Sequence, residues 1–155
     1  GRETLNVVQT LALDRDTLEA HNRALQEKYA LVRKNEVRYE ALRTDDADLV
    51  LVAYGISARV AKAAMAKARA KGLAVGLFRP ITLFPFPEEA MAALAKRTGA
   101  FLVTEMSCGQ MLEDVQRVTC CQKPIHFYGR TGGHLTNVAE LLDRIDAIMA
   151  GKVVG

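Results

Sequence analysis

From Val37 onward the sequence alternates between short, continuous apolar runs and longer stretches with helical spacing. A strand that is apolar at every position needs cover on both faces. Leu49-Val50-Leu51-Val52-Ala53-Tyr54 is such a run, residues 73–78 read as a second buried strand, and 101–104 and 125–128 as further strands. Residues 37–42 form a further short strand ahead of them. The segments between carry one apolar face each. Val60, Ala61, Ala64, Met65 and Ala68 share a helix face that excludes Arg59, Lys62, Lys67 and Arg69, and Lys71-Gly72 ends that helix. Ala90, Met91, Leu94 and Ala95 follow Glu88-Glu89, with Gly99 as the stop, and Met111, Leu112, Val115 and Val118 line another helix. The last helix starts near Asn137 and presents Val138, Leu141, Leu142, Ile145, Ile148 and Met149. Strand and helix in alternation, with short connections, predict an α/β fold of three layers around a mostly parallel sheet. Its crossovers are right-handed, as strand twist requires.

Upstream the pattern differs. Residues 1–13 have no clean period and read as an arm. Asp16-Thr17-Leu18-Glu19 has the form of a capping box, which predicts a helix from there to about Lys34. Its apolar stripe, Leu18, Leu25, Tyr29 and Val32, is narrow. The expected organisation is an arm and linker helix over 1–36, an α/β domain over 37–150 and a tail over 151–155.

Composition removes several classes. The formal net charge of +3 is spread along the chain, with acids between the bases, unlike a nucleic-acid stripe. Trp is absent and aromatic residues make up only 6%, so base stacking has little to work with. No apolar run approaches the roughly 20 residues of a membrane span, and the amino terminus lacks the apolar segment of a signal peptide. Cys108, Cys120 and Cys121 are odd in number and two are adjacent, which argues against a secreted disulfide framework and for a reducing cytoplasm.

Candidate chemistry is thin. The turn Ala53-Tyr54-Gly55-Ile56-Ser57-Ala58 opens a helix after a strand, a place that can hold phosphate. The dinucleotide fingerprint needs further glycines and an acid after the next strand, where Arg79-Pro80 stands, so a capped turn is the simpler reading. The cysteines lack the paired spacing of zinc or iron–sulfur ligands. His21, His126 and His134 share no ligand interval and read as surface or loop residues. Cys108 precedes a helix and suggests a nucleophile with His126 or His134 as base, against a simpler reading as a small buried side chain. Gly129-Arg130-Thr131-Gly132-Gly133 suggests an anion nest or a plain turn.

The least ordinary segment is Arg79-Pro80-Ile81-Thr82-Leu83-Phe84-Pro85-Phe86-Pro87, rich in proline and in large apolar residues where loops are usually polar. Such a loop is either tucked into its own domain or pressed against a partner. We expect an interface formed by Arg79, Thr82, Phe84, Pro85, Phe86 and Pro87 with Glu105, Met106, Gly109 and Gln110. Phe84 and Phe86 are its expected anchors and an Arg79–Glu105 pair its expected clasp. The competing reading puts both phenylalanines in the core.

Tyr54-Gly55-Ile56-Ser57-Ala58-Arg59, the 79–87 loop, Glu105-Met106-Ser107-Cys108-Gly109-Gln110-Met111 and Gly129-Arg130-Thr131-Gly132-Gly133 occur together and in this order. Over about 37–149 the chain resembles the carboxy-terminal domain of the alpha subunit of 2-oxoacid:ferredoxin oxidoreductases, of the 2-ketoisovalerate and 2-oxoglutarate types. The resemblance implies a transketolase C-terminal-like domain with a five-stranded, mostly parallel sheet and residues 37–42 as its odd strand. It implies a structural and assembly role in an enzyme that oxidatively decarboxylates a 2-oxoacid to an acyl-CoA. The intact complex would use thiamine diphosphate, magnesium and iron–sulfur clusters, with coenzyme A and ferredoxin as partners at that level. The expected partners of this chain are the pyrimidine domain of the same subunit and the diphosphate-binding beta subunit. No nucleic acid and no membrane are expected, and none of the cofactors is expected on this fragment, which lacks the diphosphate-binding Gly-Asp-Gly signature and the cluster cysteines. Alternatives are the terminal domain of a 2-oxoacid dehydrogenase beta subunit or of a transketolase and, from another class, a free-standing nucleotide-binding module.

Overall fold

The computed structural model describes residues 13–151 of the chain. The expected arm, apart from Leu13, and the expected tail, apart from Gly151, lie outside the described residues. The chain divides into two compact units, Gly1–Glu36 and Val37–Gly155.

The described part of the first unit is the helix α1, Arg15–Asn35. Its N-cap is Asp14, whose side chain accepts from the Thr17 backbone N–H at 2.8 Å. The expected capping box at Asp16 is therefore displaced: Asp16 already lies in the first turn. Either acid can serve as an N-cap, and Asp14 is the one whose own backbone is extended, as the cap position requires. The hydrogen bonds from Thr17 lower the Asp14 pKa. No residue of α1 is buried.

The second unit is a five-stranded sheet with helices on both faces. Its elements in chain order are β1 (Tyr39–Leu42), β2 (Leu49–Ala53), α2 (Gly55–Ala70), β3 (Val75–Pro80), α3 (Glu88–Ala95), β4 (Ala100–Glu105), α4 (Gln110–Thr119), β5 (Ile125–Gly129) and α5 (Val138–Met149). The strand order is β1-β3-β2-β4-β5. The pairs β2–β3, β2–β4 and β4–β5 are parallel, and β1 alone runs antiparallel, with Tyr39 opposite Pro80 and Leu42 opposite Leu77.

Side chains of one strand alternate between faces, and β2 supplies both cores. Leu49, Leu51 and Ala53 enter the cluster made with Ala61, Ala64 and Ala68 of α2 and Leu141 and Ile145 of α5. Val50 and Val52 enter the opposite cluster, with Met91 and Leu94 of α3 and Met111 and Val115 of α4. The alanine face of α2 lets the helix approach the sheet closely. Asn137 and Glu140 form a reciprocal capping box at the start of α5. Gly99 permits another close approach: a Cβ there would lie 2.8 Å from the Asp48 carbonyl oxygen, which accepts from the Gly99 N–H at 3.0 Å. It follows the end of α3 at a distance and does not cap it, since the cap position is Lys96.

Candidate functional site

Every parallel strand delivers its outgoing loop to one edge of the sheet, the carboxyl edge, and β1 enters there too, because Tyr39 pairs with Pro80 at the end of β3. The strand order doubles back at β2, whose neighbours are β3 and β4. In open α/β sheets ligands gather outside such a switch point. All the segments singled out in the sequence, 54–58, 79–87, 105–110 and 129–133, meet at this edge.

Glu105 ends β4 and is fully buried. Its carboxylate accepts from the Ser107 hydroxyl at 2.6 Å and from the backbone N–H groups of Met111 at 3.1 Å and Leu112 at 3.2 Å. A helix start exposes unpaired N–H donors and favours a negative charge. Here the chain supplies that charge itself, so the start of α4 offers no seat for a phosphate. The expected Arg79–Glu105 clasp does not form. Arg79 instead pairs with Glu40 of β1, Nη1 to Oε2 at 3.1 Å. The register puts Glu40 directly opposite Arg79, and a long side chain reaches its cross-strand neighbour first.

The proline loop divides its two aromatic rings. Phe86 is 6% exposed and packs with Phe78, Met91 and Phe101. Phe84 is 59% exposed. The expectation that both rings are outward anchors is corrected for Phe86, which is core, and Pro85 and Pro87 are buried beside it. Thr82 holds the loop down: its hydroxyl donates to the Pro85 carbonyl at 2.9 Å and accepts from the Arg38 N–H at 3.0 Å. Arg38 returns the bond, its carbonyl accepting from the Ile81 N–H at 2.9 Å.

Tyr54 is the N-cap of α2 and gives no side-chain cap bond, and Ser57 is buried inside the helix. The expected capped turn therefore has no side-chain cap bond. Gly55 has φ +55° and is the first residue of that helix. Cys108 is exposed, which overturns its reading as a small buried side chain. His126 lies within β5 and not in a loop. The register places it beside Leu102, near the amino end of β5, whereas Cys108 follows the end of β4. Gly129 is crowded: a Cβ there would meet the Phe127 ring at 2.5 Å and the Ser107 carbonyl oxygen at 2.6 Å.

One cluster was not anticipated. Tyr128 donates to Glu140 at 2.8 Å, Arg130 donates to the other oxygen of Glu140 at 2.7 Å, and the Arg144 guanidinium lies 4.9 Å from the Tyr128 ring centre. Burial and the bond to Glu140 raise the Tyr128 pKa. The Tyr128 hydroxyl, the Asn137 N–H and Arg130 together lower that of Glu140. The residues come from β5, its loop and α5, so no local spacing announced them. Only Arg130, in the 129–133 turn, and Asn137, as the start of the last helix, stood out in the sequence.

The cysteines do not converge. Cys108 lies at the carboxyl edge, and Cys120 and Cys121 follow α4 at the amino edge. Among the described residues no three His, Cys, Asp or Glu side chains gather as metal ligands. The three cysteines therefore supply no shared ligand set for an iron–sulfur cluster. Among the described residues no helix is long and apolar enough to cross a membrane.

The family model described as pyruvate:ferredoxin oxidoreductase core domain II matches residues 47–141. The chain is 51% identical over 149 residues to ketoisovalerate oxidoreductase subunit VorB of Methanothermobacter marburgensis, covering 96% of this chain and 42% of that protein. It is 30% identical over 135 residues to 2-oxoglutarate synthase subunit KorA of Methanothermobacter thermautotrophicus, covering 85% of this chain and 36% of that one. The chain thus spans about two-fifths, 42%, of the length of a curated relative that it matches. Among solved structures, the 2-oxoglutarate:ferredoxin oxidoreductase of Magnetococcus marinus, with 2-oxoglutarate, coenzyme A and succinyl-CoA bound, shares the fold at a TM-score of 0.72 and 23% identity over 87% of this chain and 24% of that one. A split-gene transketolase, as an inactive beta4 tetramer, shares it at a TM-score of 0.63 and 20% identity over 75% of this chain and 42% of that one. With the fold and the family match in agreement, the chain belongs to the pyruvate:ferredoxin oxidoreductase core domain II family.

Proposed function

We propose that this chain is a structural and assembly domain of a thiamine-diphosphate-dependent 2-oxoacid:ferredoxin oxidoreductase in the cytoplasm, acting on 2-ketoisovalerate. The carrying observation is 51% identity to a ketoisovalerate oxidoreductase subunit across 96% of the chain, against 30% to a 2-oxoglutarate synthase subunit. In that reaction the bond between the carboxylate and the keto carbon breaks and carbon dioxide leaves. A thioester bond to coenzyme A forms, a proton is released, and the electron pair passes through iron–sulfur clusters to ferredoxin.

This domain's part is to shape and hold the assembly. Thiamine diphosphate, magnesium and the clusters belong to its partners, the pyrimidine domain of the same subunit and the diphosphate-binding subunit. The buried Glu105 carboxylate supports this division, because it fills the helix start where a phosphate would otherwise sit and so weighs against a nucleotide-binding module. The likeness to transketolase is one of fold alone.

The test uses the whole complex, purified with this chain in place. Coenzyme A-dependent reduction of a low-potential dye is followed with 2-ketoisovalerate, 2-oxoglutarate and pyruvate. Highest kcat/KM with 2-ketoisovalerate supports the proposal. A preference for another 2-oxoacid overturns the substrate, and turnover by none overturns the enzyme class. Saturable binding of thiamine diphosphate to this chain alone, at micromolar concentration, overturns the assembly role.

A further inference from the structure

The two edges of the sheet differ sharply in charge. The four strand-to-helix connections at the carboxyl edge, residue 54 and residues 81–87, 106–109 and 130–137, contain a single formal charge, Arg130, which is paired with Glu140. The connections at the amino edge, residues 43–48, 71–74, 96–99 and 120–124, contain eight. Several of those eight are tied into ion pairs, Asp46 with Arg69, Lys71 with Asp146 and Asp45 with Arg97. The amino edge is built for water.

Exposed apolar side chains show the same polarity. The large exposed hydrophobic residues described in the second unit are Tyr39, Ile56, Ile81, Leu83, Phe84 and Leu135. All six emerge at the carboxyl edge: Tyr39 where β1 enters, Ile56 just after β2, the next three after β3 and Leu135 after β5. Single exposed hydrophobic residues are ordinary, but their confinement to one edge, whose outgoing connections carry almost no charge while Arg38, the Arg79–Glu40 pair, Glu88 and Glu89 lie around them, is the composition of an apolar interface core with a polar rim.

We infer that the carboxyl edge is a docking face for another domain of the same oxidoreductase polypeptide, whose meeting surface is apolar and uncharged. The inference rests on the proposed function. The occupant follows from length and charge. More than half of the ketoisovalerate relative lies beyond the part this chain matches, 42% of its length. A covalently joined neighbour is present at high effective concentration. Connections almost without charge offer a charged partner little to pair with and exact a desolvation cost from it. Thr82 and the buried Phe86 hold the proline loop in place beforehand, which lowers the ordering cost of docking.

The thiols provide an internal test. Cys108 is exposed at the carboxyl edge, and Cys120 and Cys121 are exposed at the amino edge. The intact complex is treated with iodoacetamide and alkylation at each thiol is followed by mass spectrometry, beside the same complex in denaturant just sufficient to separate the domains of the subunit. Cys108 is expected to react at least tenfold more slowly in the intact complex, with Cys120 and Cys121 slowed less. Equal rates at Cys108 in the two states overturn the docking face. Protection of Cys108 in an assembly that contains only copies of this chain overturns the assigned occupant. A second measurement uses Phe84→Asp in the full-length subunit, with Lys96→Asp at the amino edge as control. Faster alkylation of Cys108 in the intact complex with the first and not the second supports the face, and equal rates overturn it. The alkylation result is independent of turnover, so a complex inactive on 2-oxoacids but protected at Cys108 sinks the proposed reaction and leaves the face standing.

Discussion

Glu105 and Met111 are joined across the turn that starts α4, carboxylate oxygen to backbone N–H, at 3.1 Å. The bond closes the switch-point corner of the sheet from within. It also links the end of a buried strand to the helix that packs on it, with Leu112 and Ser107 completing the shell around the carboxylate.

Glu105→Gln should therefore destabilise the domain. The amide turns a donor toward backbone donors and removes the charge that faced the helix start. The expected loss is about 1–3 kcal/mol, the cost of a buried group left unsatisfied. Ser107→Ala, which removes one neutral donor, should cost about 1 kcal/mol. Urea denaturation followed by circular dichroism measures both. A midpoint unchanged by Glu105→Gln contradicts the capping role.

The two phenylalanines of the proline loop should separate cleanly. Phe86→Ala opens a cavity against Phe78, Met91 and Phe101 and should cost about 3–5 kcal/mol. Phe84→Ala, at 59% exposure, should stay within about 0.5 kcal/mol. Similar losses at both positions would show that the loop packs in some other way.

Acid should loosen the contact of β5 with α5. The Glu140 pKa is lowered in the fold, first by the Tyr128 hydroxyl, so its contribution to stability is present above the ordinary carboxylate range and is lost as pH falls through the folded value. Tyr128 has a raised pKa, so its contribution is present below its ordinary value of 10.0 and is lost as pH rises through the folded value. Tyr128→Phe should move the Glu140 titration upward, as read by carbon NMR of the side-chain carboxyl. An unmoved curve would falsify the link.

Gly129→Ala should strain the end of β5. The added carbon would meet the Phe127 ring at 2.5 Å and the Ser107 carbonyl at 2.6 Å. Because one neighbour is backbone, relief requires the 106–109 turn to shift, at an expected cost of about 1–3 kcal/mol. Thermal denaturation beside Gly132→Ala checks this. Gly132 has φ +64° but open space around it, so its variant carries backbone strain without a clash. A Gly129→Ala variant as stable as the parent would rule out the crowding.

The alternation of apolar runs with amphipathic helices was enough to define the layers. The helices α2 to α5 bury side chains by local periodicity, and Ala61, Ala64 and Ala68, or Leu141 and Ile145, lie where spacing puts them. Motif order likewise pointed to the family. Pair choices were not legible, because they depend on register and on which of several equivalent groups arrives first. Asp14 or Asp16 could cap α1, and only backbone conformation selects Asp14. Arg79 met Glu40 and not Glu105 because the antiparallel pairing of β1 placed Glu40 opposite it, while Glu105 turned inward to backbone donors. Phe84 and Phe86 are alike in sequence, yet one is exposed and the other packs on α3 and β4. The common edge of Tyr39, Ile56, Phe84 and Leu135 likewise belongs to the strand order, which joins residues that no local period connects.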